Sequence, residues 1–421
     1  MLSFSMLGVN LWQDKMTRLV MALCVFAAAA PAVEVRGITP TGGQKPAGPY
    51  TLGVMAGDYL YVSSQGPRRR DGTIPGTIEE QVDQAVANVE AIVRAAGLTL
   101  DHIVYTHVYL DDISLYDGMN RAYARHFGAN PPARAVVGIH KRANGMHVTI
   151  NAVAVRDLSM KTVVALPGID VKEPYSPGIL THDRLYVSGM LGRDLKTGRI
   201  PDGIDNQVAL ALDNVGEVLK AAGLDHRHMV FVNPYVGPNI AYGEMNRVYA
   251  TYFEFGNTPA RATIFVTSLP HNARIEFTGV AVRDLSKRLA VRPKNMKPSP
   301  TASPCVFAGD TFFCSAKSGF IPGVNGGIWA STVENQLRQT MRNLLDNLEE
   351  AGMDFSDVVA TNLYLDDRAD YDKANAVYKL YFADLLPART TVQQLAPAER
   401  RPRPNGRWPT LEQISLIAVK R

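Results

Sequence analysis

Cysteine is scarce in this chain, three in 421 residues, which excludes a small disulfide-built scaffold and a cysteine-ligated metal fold. The nine histidines show no ligand spacing: His226 and His228 are the nearest pair, have no third partner and read as a solvated turn. No phosphate-cradling glycine loop and no nucleophile elbow occurs, so neither a metal nor an organic cofactor is expected. Charge of one sign is missing too. With 44 Lys and Arg against 40 Asp and Glu the formal net charge is +4. The basic runs, Arg68 to Arg70 and the cluster Arg400, Arg401, Arg403 and Arg407, read as solvated loops, and nucleic acid is not an expected partner.

One apolar run stands out, Leu19 to Ala30, preceded by Lys15 and Arg18 and followed by Ala-Pro-Ala. At twelve residues it is too short to cross a bilayer comfortably, so no stable membrane anchor is expected. The layout is that of a secretory signal cleaved after about Ala32, with Met16 as an alternative start; the other reading is an N-terminal extension of a cytoplasmic protein. The expected location is therefore periplasmic or secreted, with cytoplasmic as the alternative. Without the leader only Cys305 and Cys314 remain, flanking a two-residue turn at Gly309 and Asp310. The turn sets them across from each other on neighbouring strands, either as a disulfide or as two buried thiols.

What the chain does have is repetition. Met119-Asn-Arg-Ala-Tyr, Met245-Asn-Arg-Val-Tyr and Ala374-Asn-Ala-Val-Tyr are each followed by Pro-Ala-Arg, ending at Arg134, Arg261 and Arg389, at intervals of 127 and 128 residues. Tyr-Val-Ser precedes the first helix in two copies, with Phe-Cys-Ser in the third. Within a unit the periodicity predicts two strands, a helix over residues 79–96, a buried strand, a second helix from Tyr116 to Phe127 and two closing strands. Length agrees with three domains: residues 33–158, 159–287 and 288–421 after a leader of 1–32, joined by linkers near 159–167 and 287–300. A mixed sheet with both helices on one face leaves the other face apolar; three units in one chain can bury those faces together.

The combination, in order, of Pro-Tyr-Ser, Tyr-Val-Ser-Gly, Asn-x-x-Tyr, Pro-Ala-Arg and a final Ala-Val-Ala-Val, whole or in close variants in each repeat, resembles the Rid (YjgF) superfamily of enamine and imine deaminases. The resemblance implies α+β architecture: three tandem chorismate-mutase-like domains arranged as an intramolecular pseudo-trimer, monomeric as a whole, with clefts between repeats. It also implies that Arg134, Arg261 and Arg389 grip a substrate carboxylate, a task for which a planar, permanently charged guanidinium is suited. By the same correspondence Asn120, Asn246 and Asn375 contact ligand or satisfy buried backbone. Ser63, Ser188 and Ser315 bind substrate or cap a strand. Tyr50 and Tyr175 form an aromatic lid, which falls on Ala302 in the third repeat. The family's Gly after the Ser is Ser64, Gly189 and Ala316, and the residue two after the Arg is Val136, Thr263 and Thr391.

The pattern breaks in the last strand. The glutamate that positions water in the family aligns on Asn151, Thr278 and Ser415, with Glu276 matching a different Glu two residues earlier. A neutral side chain is a poor proton acceptor. The expected activity is hydrolysis of a small carboxylate-bearing enamine or imine to a keto acid and ammonia; the alternative is a non-catalytic binding protein for a small carboxylic acid. A cleft in which Arg134 or Arg261 faces a Tyr is expected to be more competent than one built against Ala302. RNA cleavage rests only on the cluster near Arg400.

Overall fold

The computed structural model describes residues 33–43, 45–140, 145–323, 326–395, 400–404 and 406–421. The leader expected over 1–32 lies outside them. Residues 34–421 form one compact unit, and no helix among the described residues is long and apolar enough to cross a membrane.

Three sheets carry the chain. In the first repeat, β1 (Val35–Ile38), β2 (Gly53–Ala56), β3 (Tyr59–Gln65), β4 (Ile103–Leu110), β5 (Ala133–Gly138) and β6 (Val148–Val155) lie in the order β1-β2-β3-β6-β4-β5. Helix α1 (Ile78–Ala95) follows β3, and α2 (Tyr116–Phe127) follows β4. The second repeat has β7 (Thr162–Val164), β8 (Gly178–Leu180), β9 (Arg184–Leu191), α3 (Ile204–Ala221), β10 (Met229–Val236), α4 (Tyr242–Tyr249), the split strand β11 (Ala260–Arg261) and β12 (Ile264–Phe265), and β13 (Ile275–Val282). The third has β14 (Arg288–Val291), β15 (Cys305–Ala308), β16 (Thr311–Lys317), α5 (Val333–Glu350), β17 (Val358–Leu365), α6 (Tyr371–Tyr378), β18 (Ala388–Gln393) and β19 (Glu412–Val419). Both later sheets keep the first sheet's order.

Each repeat opens with a strand that periodicity missed. β7 and β14 lie inside the segments expected to be linkers and pair antiparallel with the hairpins that follow. They are short edge strands, β7 of three residues and β14 of four, and a run that short carries no readable alternation. The long helix was legible: Thr77 and Glu80 form a capping box at its start, and Gly97, at φ +82°, takes the left-handed turn past its end. At the third hairpin the chain pairs Cys305 with Cys314 and joins them in a disulfide.

Each sheet buries one face under its own helices. In the first repeat Val82, Val86, Val89 and Val93 of α1 and Met119, Tyr123 and Phe127 of α2 cover Leu60, Val108, Ile150 and Ala152. The opposite faces of the three sheets meet one another: Tyr109, Tyr235 and Tyr364, at equivalent positions, share one cluster with Val137, Ile264 and Val392. His107 is stacked 4.5 Å from Tyr109 there, and burial holds its imidazole near 3, hence neutral. The seams close in a ring. The Arg134 N–H donates to Ser188 Oγ (2.8 Å), the Arg261 N–H to Ser315 Oγ (2.7 Å), and the Arg389 N–H returns to Ser63 Oγ of the first repeat (2.8 Å). The carbonyls of Pro132, Pro259 and Pro387 accept from the N–H groups of Ser176, Ser303 and Thr51 across the same seams. The pseudo-trimer is thus a closed circle of three repeats, as a backbone ledger of each Pro-Ala-Arg shows.

Candidate active site

The three arginines are fixed in the same way. Each sits on an edge strand, is buried (relative exposures of 3%, 5% and 2%), and lies over a tyrosine of its own second helix: Arg134 at 4.6 Å from Tyr123, Arg261 at 4.7 Å from Tyr249, Arg389 at 4.8 Å from Tyr378. The asparagine one turn earlier accepts from the guanidinium: Arg134 Nη2 to Asn120 Oδ1 (2.7 Å), Arg261 Nη1 to Asn246 Oδ1 (2.8 Å), Arg389 Nη2 to Asn375 Oδ1 (2.8 Å). Asn and Tyr three apart share a helix face, so Asn-x-x-Tyr holds one cation from two sides. The serines hold the same strands from across the seam. Their hydrogens go to the carbonyls of Thr51, Ser176 and Ser303, and their lone pairs receive the Arg N–H.

A further tyrosine four residues before each Asn, Tyr116, Tyr242 and Tyr371, opens the helix on the same face. Arg261 Nη2 donates to Tyr242 Oη (2.5 Å) and Arg389 Nη2 to Tyr371 Oη (3.3 Å). Tyr116 instead donates to Glu173, which also takes His271 Nε2 at 2.7 Å. The i, i+4 spacing from Tyr to Asn was readable in all three copies and would have flagged them.

Beyond these shared parts the clefts differ. The Arg134 cleft is a cavity of about 630 Å³ lined by Tyr116, Arg134, Val136, Glu173, Tyr175, Gly189, Arg193 and Glu276. The Tyr175 ring lies 5.8 Å from the guanidinium. Glu276 is 2% exposed, its Oε1 has no hydrogen-bond partner, and burial raises its pKa to about 8, Arg134 pulling the other way. Gly189 makes room for it: a Cβ there would sit 2.2 Å from Glu276 Oε1. At the corresponding positions the first repeat places Ser64 against Thr149, 2.7 Å apart, and the third has Ala316 and Gln413. Only the repeat with the carboxyl has the glycine.

This corrects the sequence alignment. Asn151, Thr278 and Ser415, expected to replace a water-positioning Glu, are not among the residues that line the Arg134 and Arg261 clefts. Asn151 and Thr278 line a small axial cavity where the sheets meet; Asn151 Nδ2 reaches Thr390 Oγ1 at 2.7 Å, Thr278 Oγ1 reaches Tyr105 Oη at 3.0 Å, and Ser415 Oγ accepts from Asn362 at 3.3 Å. Two residues along a strand move a side chain by about 6.6 Å on one face, which separates axis from seam. Glu276, two earlier on β13, reaches the seam.

The Arg261 cleft, about 980 Å³, is lined by Tyr242, Thr263, Ala302, Lys317, Arg403 and Gln413 among others. Ala302 thus faces Arg261, not a tyrosine. At Arg389 a tyrosine does stand opposite, Tyr50 at 5.3 Å, but Gly48 lies directly against the guanidinium: a Cβ there would be 2.8 Å from Arg389 Nη2 and 2.6 Å from Tyr371 Oη. Arg400, the centre of the basic cluster, is spoken for by Asp366 (2.9 Å), Asp367 (3.4 Å) and Asp370.

The chain matches one known family three times: residues 42–156, 167–283 and 295–398 each fit the model described as Endoribonuclease L-PSP. The chain belongs to that family, the one that also holds the Rid and YjgF proteins. Over 110 residues it is 40% identical to the 2-iminobutanoate/2-iminopropanoate deaminase of Rattus norvegicus, covering 26% of this chain and 80% of that protein. A RutC family protein of Saccharolobus solfataricus is 38% identical over 112 residues, covering 26% of this chain and 89% of the relative. The structure of the YjgF gene product of E. coli aligns with 29% of this chain and 99% of its own, at 32% identity and a TM-score of 0.28.

Proposed function

We propose that this protein hydrolyses a small carboxylate-bearing imine or enamine to a keto acid and ammonia, at the cleft built from Arg134 and Glu276. The observation that carries the reading is the unpartnered buried carboxyl of Glu276 in the same cavity as Arg134. Relatives named 2-iminobutanoate/2-iminopropanoate deaminase support the reaction class.

The chemistry follows from the parts. The substrate carboxylate pairs with the free edge of Arg134, and Tyr175 covers the small apolar chain. Glu276, protonated near neutral pH, gives its proton to the imine nitrogen. Water then adds to the carbon: the C–O bond forms, the C=N π pair goes to nitrogen, and the water proton returns to Glu276. From the resulting carbinolamine Glu276 protonates the amine, the C–N bond breaks with its electron pair leaving on ammonia, and the hydroxyl proton passes to the Glu276 carboxylate as the C=O of the keto acid forms. A carboxyl near 8 suits both directions of transfer, since its acid and base forms are both populated close to neutrality.

The test is ammonia release from 2-iminobutanoate generated in place. Arg134→Met and Glu276→Gln should each lower kcat/KM by about 100-fold or more, while Arg389→Met leaves most of it. Full activity in Glu276→Gln would sink the proposal. A non-catalytic carboxylate-binding role fits the other two clefts, where Gln413 and Thr149 stand in for the acid. Export is part of the same proposal: the leader-like N-terminus and the Cys305–Cys314 disulfide both fit an oxidising compartment, and N-terminal sequencing of the mature protein beginning near residue 33 would bear it out.

A further inference from the structure

We infer that the cleft at Arg261 is a separate binding site for a small dianion, a dicarboxylate or a phosphorylated carboxylic acid, in which Arg261 holds one anionic group and Lys317 the other. The inference does not rest on the deaminase reading.

The cavity is the larger of the two described arginine clefts, about 980 Å³ against about 630 Å³. Its described lining contains Arg261, Lys317, Lys297 and Arg403 and no Asp or Glu. The lining of the Arg134 cleft, by contrast, contains Glu173, Asp170 and Asp194. Arg261 keeps the family grip through Asn246 and Tyr242, both neutral, so its charge is uncompensated by either.

Lys317 is the decisive residue. It lies two residues past Ser315, where the other repeats have Gln65 and Met190, and at Met190 the side chain is wholly in the core. Lys317 instead lines the cavity, and a lysine stem packs against apolar neighbours while its ammonium seeks polar surroundings. No hydrogen bond or ion pair holds that ammonium among the described residues, and burial without a counter-anion draws its pKa down to about 8. A half-buried cation with no partner, on the wall of a cavity that already contains a carboxylate-gripping arginine, is costly unless an anion arrives. Loss of the lid at Ala302 and of the acid at Gln413 widens the site and removes the groups that would repel a second negative charge. A monocarboxylate would answer only one of the two cations.

The experiment uses the full chain carrying Arg134→Met, so that the cleft of the first seam is silent. Calorimetric titration with butyrate, glutarate and 3-phosphoglycerate compares one ligand that has a single anionic group with two that have a pair of them. At least one dianion should bind tenfold or more tightly than butyrate; which of the two prevails separates a dicarboxylate from a phosphorylated acid. Lys317→Gln, a residue that the first repeat already accommodates at this position as Gln65, should reduce that preference to within about twofold, and Lys317→Arg should restore it. Arg261→Met should abolish the dianion preference. In the protein with Arg134 intact, Lys317→Gln should leave imine hydrolysis unchanged. Equal affinity for butyrate and both dianions, or a dianion preference that survives Lys317→Gln, would overturn the inference.

Discussion

At the scale of single residues, Gly189 and Glu276 form a matched pair. The Glu276 carboxyl occupies the space a side chain at 189 would take, so Gly189→Ala should displace the carboxyl while leaving Arg134 in place. The expected result is a fall in kcat of about tenfold or more with KM changed by less than threefold, measured as ammonia release. The raised pKa of Glu276 also has a sign. Below about 4.5 the group is neutral folded or unfolded and costs nothing. As pH rises toward 8 the unfolded chain ionises and the folded one resists, so stability is lost across that window and the loss is complete above 8. Glu276→Gln should therefore be more stable than the parent at pH 9, by roughly 1–3 kcal/mol, and equal to it at pH 4; denaturant midpoints at the two pH values check this. Glu412, buried on β19 with its pKa likewise near 8, adds a slope of the same sign that the Glu276 variant leaves in place.

At the scale of elements, the Asn-x-x-Tyr helix and the strand beside it work as one clamp, and the repeats do not build it equally well. Tyr123 Oη meets Thr106 Oγ1 at 2.7 Å and Tyr378 Oη meets Thr361 Oγ1 at 2.7 Å. The second repeat has Val232 at that strand position, and Tyr249 Oη is buried without a partner. Val232→Thr should supply the missing bond and stabilise the protein by about 1 kcal/mol, read as a rise in the thermal midpoint. Elements were the most legible level of this sequence. Long amphipathic helices such as α1, with its cap and stop, could be placed to within a residue; β7 and β14 could not, because three- and four-residue edge strands owe their existence to a neighbour's hydrogen bonds rather than to a pattern of their own.

At the scale of the whole molecule, the ring of three seams makes each repeat depend on the other two. The axial cluster around Tyr109, Tyr235 and Tyr364 would be exposed in any repeat made alone, and an apolar face of that kind drives association. Residues 33–158 expressed separately should therefore self-associate or fail to stay soluble, whereas the full chain should unfold in a single transition by both far-UV and near-UV circular dichroism. The three repeats and the fold class were legible in the sequence alone, because Pro-Ala-Arg and Asn-x-x-Tyr act locally and recur in register. Which arginine meets which partner was decided only by the tertiary structure. Each cleft takes one wall from each of two repeats, so Glu276 belongs with Arg134, Lys317 with Arg261 and Gly48 with Arg389 across separations in the chain that no spacing announces. The same is true of the two-residue step along β13 that puts Thr278 at the axis and Glu276 at the seam: a strand's alternation tells which face a side chain is on, and only the docking of a neighbour tells what that face meets.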